Sequence, residues 1–113
     1  MTESEHYQKL KLELRRGTLI LAVLAELREE HYGYSLRKNL LAKGMDIDEG
    51  TLYPLVRRLE KQGLLASEWR EENNRKKRFY HLSEVGQTTL RQLTEDWRAT
   101  EKTLNRILDY QGD

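Results

Sequence analysis

A chain of 113 residues with 35% charged side chains and no cysteine can build one modest core, and holds neither a disulfide nor a thiolate metal site. Its longest apolar run, Leu19 to Ala25, is seven residues, too short for a helical membrane span. The charged opening MTESEHYQKLK lacks a signal-peptide hydrophobic stretch, so a cytoplasmic protein is expected. The net charge of +1 hides a gradient: residues 49–82 carry eight basic and five acidic side chains, or +3, and residues 83–113 carry four and six, or −2. A basic middle third is a nucleic-acid signal of modest strength.

Residues 6–29 are expected to form a helix with a break near Gly17. Leu10, Leu14, Leu21 and Leu24 trace one apolar stripe, and Ile20, Val23 and Leu27 a second. A helix apolar on two sides is buried from two directions, by its own domain and by a partner. A turn at His31–Gly33 leads into a second helix, with Tyr34, Leu36, Leu40 and Leu41 as packing candidates and Gly44 as its stop.

The third helix opens at Asp48, the best N-cap, with Glu49 complementing the helix dipole. In EGTLYPLVRRLEKQG, Leu52, Leu55, Val56 and Leu59 face the core, and Gly63 ends the helix. Gly50 and Pro54 are costly there, by about 1 kcal/mol for a glycine and about 3 kcal/mol for a proline in a helix interior. Both sit on the outward end, with Thr51, Tyr53, Arg57, Arg58 and Lys61. Two short helices and a brief connection are a helix-turn-helix, whose second helix reads the major groove through its N-terminal residues. Gly50 then permits close approach of phosphate to free N–H groups, and Pro54 stiffens the turn that aims the helix.

LLASEW and KRFYHL, separated by REENNRK, read as a β-hairpin. Its tip carries Asn73 and Asn74 with Arg75, Lys76, Lys77 and Arg78, cations able to reach phosphate or the minor groove. Ser83 caps a last helix running to about Tyr110. There Leu90, Leu93, Trp97, Thr100, Leu104 and Ile107 recur at steps of three and four, a heptad seam with one polar interruption. With nothing downstream to cover it, that seam is expected to meet a second copy of the chain, as are Leu10, Leu14 and Leu21 of the first helix. Trp69, on the hairpin, is expected to be a spectator.

The fold class is therefore mainly α with a small β-hairpin. Residues 1–82 form a winged helix-turn-helix domain, whose first helix also serves the dimer, and residues 83–113 a dimerisation helix. Catalysis finds no support: His6, His31 and His81 lack metal-ligand spacing, and no nucleophile–base pair or phosphate loop appears. No cofactor and no metal are expected.

GTLYPLVRRLEKQGLL (50–65), the Gly33–Tyr34 pair, RKKRFYHLSEVG (75–86) and the DWR of the last helix resemble PadR-type bacterial transcriptional regulators, over roughly residues 14–108. The resemblance implies a homodimer built from the first and last helices that represses nearby genes by binding a pseudo-palindromic operator. It places Thr51, Tyr53 and Pro54, and the Arg75–Arg78 wing, on DNA. The single short C-terminal helix is similar to the smaller subclass of that family. Asp48 and Glu49 depart from the pattern, which often has Ser and a small or neutral residue there. Some relatives sandwich a flat hydrophobic compound between paired tryptophans of this helix; Trp97, with Leu93 and Thr100 beside it, occupies the matching position. The competing expectation is an interaction module, in which the winged helix and coiled coil bind protein and the basic face is incidental.

Overall fold

The computed structural model describes residues 2–112. In chain order it holds α1 (Glu3–Glu26), β1 (His31–Tyr32), α2 (Gly33–Ala42), α3 (Glu49–Lys61), β2 (Leu65–Glu72), β3 (Arg75–Leu82) and α4 (Glu84–Leu108). The strands form one antiparallel sheet in the order β1-β3-β2.

Helix α1 opens on a reciprocal cap: the Thr2 hydroxyl accepts from the Glu5 N–H, and the Glu5 carboxylate accepts from the Thr2 N–H. It then runs unbroken through Gly17, where a break was expected; nothing lies within 4 Å of the position a Cβ would take there, so no neighbour bends the helix. Only its C-terminal half is buried. Val23, Leu24 and Leu27 are fully enclosed, whereas Tyr7, Leu10, Leu12 and Leu14 lie open to solvent.

The core is built where α1, α2 and α3 meet the sheet, from Leu27, Leu36, Leu52 and Leu59 with Val56, Ile47, Leu65, Tyr80 and Leu82. Helix α2 contributes Leu36 and Leu40 alone; Tyr34 and Leu41, expected to pack, are exposed because they fall off that single i, i+4 row. Leu55 is only partly buried at the edge of the α3 stripe. Two arginines fix the link between α2 and α3: Arg37 Nε donates to the Ile47 carbonyl at 2.8 Å, and Arg15 donates to that of Asp46.

Two features of the sheet differ from expectation. His31 and Tyr32 form a strand rather than a turn, pairing with Tyr80 and Phe79. Two residues are too few for an alternating pattern to show. The hairpin strands also extend through most of the presumed tip, so the loop is only Asn73–Asn74, with φ of 53° and 63°. Two consecutive left-handed residues define the two-residue turn whose twist matches its strands, and asparagine tolerates that conformation better than other non-glycine residues.

Helix α4 is seated at its first turn. The Ser83 hydroxyl donates to the Gly63 carbonyl at 2.6 Å and accepts from the Gly86 N–H at 3.0 Å, while the Ser83 N–H donates to the Leu64 carbonyl at 3.1 Å. From Leu90, buried at 7% exposure, its apolar seam runs out of the core: Leu93, Trp97, Leu104 and Ile107 are 36, 39, 42 and 63% exposed. The molecule measures 64 × 35 × 25 Å, since both long helices overrun the globule. No helix is long and apolar enough to cross a membrane among the described residues.

Candidate nucleic-acid interface

The Asp48 side chain closes the first turn of α3. One carboxylate oxygen accepts from the Thr51 N–H at 3.1 Å, and the other from the Thr51 hydroxyl at 2.8 Å. These bonds, the Thr51 hydroxyl first among them, hold the carboxyl below its ordinary value of 3.8. Asp48 is thus a structural cap whose charge is spent on the helix N-terminus. Gly50 has a local reason as well: a Cβ there would come within 3.2 Å of the Asp48 carboxylate. Pro54 sits inside α3, exposed on the outward side, in a helix that continues past it.

Tyr53 is half-buried, and its ring lies on the α-carbon of Gly33, where a Cβ would meet Cε1 at 2.9 Å. Glycine at the start of α2 is what lets the third helix come this close. Burial, and then the Glu49 carboxylate, push the Tyr53 phenol above its usual 10. Gly50, Thr51, Pro54, Arg57, Arg58 and Lys61 are exposed along the same helix.

The wing distributes its cations over two faces, because the pleat alternates side chains. Register pairs Glu71 with Lys76, Trp69 with Arg78 and Ser67 with Tyr80 on the face turned toward α3; Arg75 and Lys77 lie on the other with Phe79. Asn74, Arg75 and Lys76 are exposed at the end. Lys77 Nζ stands 4.3 Å above the Tyr32 ring and bonds Glu72 at 3.3 Å. Arg78 points inward: Nε donates to Ser67 Oγ at 2.9 Å and Nη2 to Glu60 Oε1 at 2.7 Å. Among the described residues, Arg57, Arg58, Lys61, Arg75 and Lys76 form no ion pair.

Between α3 and the wing lies a cleft of about 290 Å³ lined by Tyr32, Tyr53, Arg57, Trp69, Lys77 and Arg78, among others. Sequence reasoning did not single out Tyr32 for this site and treated Trp69 as a spectator; the structure puts the 63%-exposed indole beside α3. Strand alternation counted from Tyr80 was the signal that would have placed it. A second, larger groove of about 920 Å³ runs between α1, the end of β3 and α4, lined by Leu21, Leu90, Thr94 and Trp97 with arginines at its rim. Leu93 and Thr100 are not part of its lining. No cluster of three His, Asp or Glu residues is placed to hold a metal among the described residues.

This arrangement of helices, sheet and basic wing has relatives. The profile of the "Transcriptional regulator PadR-like family" matches residues 20–92. The chain belongs to the PadR-like family of transcriptional regulators. A transcriptional regulator of Mycobacterium tuberculosis, Rv3488, is 36% identical over 101 residues, which span 88% of this chain and 92% of that one. Among solved structures, a PadR family transcriptional regulator from Eggerthella lenta DSM 2243 has a TM-score of 0.86 at 41% identity, covering 96% of both chains. A transcriptional regulator from Clostridium thermocellum has a TM-score of 0.77 at 32% identity, over 83% of this chain and 96% of that one. The PadR-like assignment confirms the winged-helix fold expected from the order of helices and hairpin, with β1 as the addition.

Proposed function

We propose that this PadR-like regulator is a homodimeric repressor that reads operator DNA with α3 and grips the backbone with its wing. The observation that carries the reading is the set of five cations on these two elements, Arg57, Arg58, Lys61, Arg75 and Lys76, that form no ion pair among the described residues. Lys and Arg that neutralise phosphates release condensed counterions, the main source of affinity for duplex DNA. Gly50, Thr51, Tyr53 and Pro54 form the end of α3 that meets bases; Asn74 and Lys77 support the wing. Two-fold symmetry then dictates a pseudo-palindrome with half-sites about 10 base pairs apart.

The half-exposed α4 seam and the uncovered Tyr7, Leu10 and Leu14 of α1 favour a second copy of the chain as the dimer partner, with α4 as the dimerisation helix. The groove that Trp97 shares with Leu21 and Leu90 suits a flat hydrophobic compound, whose entry would shift the recognition helices and release DNA.

A fluorescence shift assay on the DNA upstream of the chain's own gene, run across a salt series, tests the reading. Specific binding that weakens steeply with log[salt] is expected. Absent or salt-insensitive binding would mean that the winged helix docks protein instead.

A further inference from the structure

Three polar side chains from three elements close a small ring at the root of the wing. Glu60 lies in the last turn of α3, Ser67 on β2 and Arg78 on β3. Arg78 Nη2 donates to Glu60 Oε1 at 2.7 Å and Nε donates to Ser67 Oγ at 2.9 Å. The Ser67 hydroxyl in turn donates to the remaining Glu60 oxygen. The Glu60 carboxylate therefore accepts on both oxygens, and the planar guanidinium is held by two bonds while its Cζ stands 5.7 and 5.6 Å from the Trp69 and Tyr80 ring centroids.

Beyond this ring the hairpin is a two-stranded ribbon with exposed side chains from Glu71 to Lys76. Ribbons of two strands twist more freely than wider sheets. Arg57 and Lys61 flank Glu60 on α3, and Lys76 lies one pleat beyond Arg78 on the same face. The ring thus stands between the two cation-bearing elements, and its closure fixes the distance from one set of charges to the other.

We infer that Glu60 and Arg78 are positioning residues that lock the wing to the recognition helix, and that the Arg78 guanidinium serves Glu60 rather than a phosphate. This rests on the DNA-binding reading above. It carries an unusual sign. Glu60 is an anion between two cationic surfaces, so by charge alone its removal strengthens binding to any duplex. If it positions the wing, its removal weakens specific binding.

The test uses the full chain and the two near-isosteric variants Glu60→Gln and Arg78→Lys, at a temperature where circular dichroism shows each folded. Both are expected to lose about tenfold in affinity for the footprinted operator, the scale of one charge-assisted hydrogen bond, with nonspecific binding unchanged or stronger. Arg78→Lys retains the charge, so a phosphate contact would keep the operator affinity, and that result overturns the proposal. A readout without DNA separates the two readings. In a Trp97→Phe background, Trp69 anisotropy is expected to fall when Glu60→Gln frees the wing; unchanged anisotropy overturns the lock. If the wild-type chain binds no duplex while Trp69 anisotropy still falls in Glu60→Gln, the lock stands and the DNA-binding reading is what fails.

Discussion

The α-carbon of Gly86 lies against the carbonyl of Leu64, so closely that a Cβ on Gly86 would overlap the Leu64 oxygen and approach its carbonyl carbon within 3.0 Å. Gly86 occupies the first turn of α4, and Leu64 links α3 to β2. The obstacle is backbone already engaged by the Ser83 N–H, so it cannot swing aside as a side chain would. Gly86→Ala is expected to destabilise the fold by about 1–3 kcal/mol, the range for overpacking a filled site. Urea unfolding checks this, and a midpoint equal to wild type would show that α4 re-seats without strain.

Acid should loosen the chain through two carboxylates. The hydrogen bond from Arg70 holds the Glu30 carboxyl below its ordinary 4.5, and that from Thr51 holds Asp48 below 3.8. A depressed folded pKa contributes stability that is complete above the unfolded value and is lost as pH falls through the folded one. The loss attributable to Glu30 therefore starts near pH 4.5 and continues below it. Glu30→Gln should unfold at a lower urea concentration than wild type at pH 6, and by a smaller margin at pH 3, where protonation of Glu30 has begun to remove its contribution. Equal differences at both pH values would remove Arg70–Glu30 from the account.

The seam of α4 predicts association. Leu93 and Leu104 are each more than a third exposed in the protomer, so aspartate at both positions adds little strain to the isolated fold while placing charge in the expected interface. Sedimentation of the wild-type chain at micromolar concentration should give dimers, and of Leu93→Asp/Leu104→Asp monomers. A monomeric wild type would refute the seam as an interface.

The two basic elements should fail differently. Arg57→Ala and Tyr53→Ala remove groups at the α3 cleft and are expected to reduce operator affinity strongly. Lys76→Ala removes a wing-tip cation and should weaken all duplexes alike while reducing the salt slope by about 1. A Lys76→Ala protein with altered sequence preference and an unchanged slope would exchange these roles.

What could be read in the sequence was what nearest neighbours along the chain encode. Asp48 three residues before Thr51 marks a cap, and the recurrence from Leu90 to Ile107 marks a helix, because both signals are local. The partners of Arg78 were not legible, since Glu60 lies 18 residues away and reaches it only after α3 has docked on the sheet. For the same reason four consecutive basic residues looked like one cluster: their division between two faces depends on where the turn falls, and Asn73–Asn74 placed it further out than composition suggested. Strand β1 escaped notice because its identity lies in pairing with Phe79 and Tyr80 and not in any pattern of its own.

A turn of only two residues gives the wing no slack for insertions or deletions. One residue added after Asn74 would slip β3 against β2 by a single step, and a single step exchanges the faces of a strand. Lys77 would take the place of Arg78 opposite Trp69, and Glu60 would lose its guanidinium. Adding one residue to each strand lengthens the ribbon and leaves every pair intact. Wing length is therefore free to drift across generations only in matched increments, and a chain with one alanine inserted after Asn74 should melt lower than one lengthened by a residue on each side of the turn.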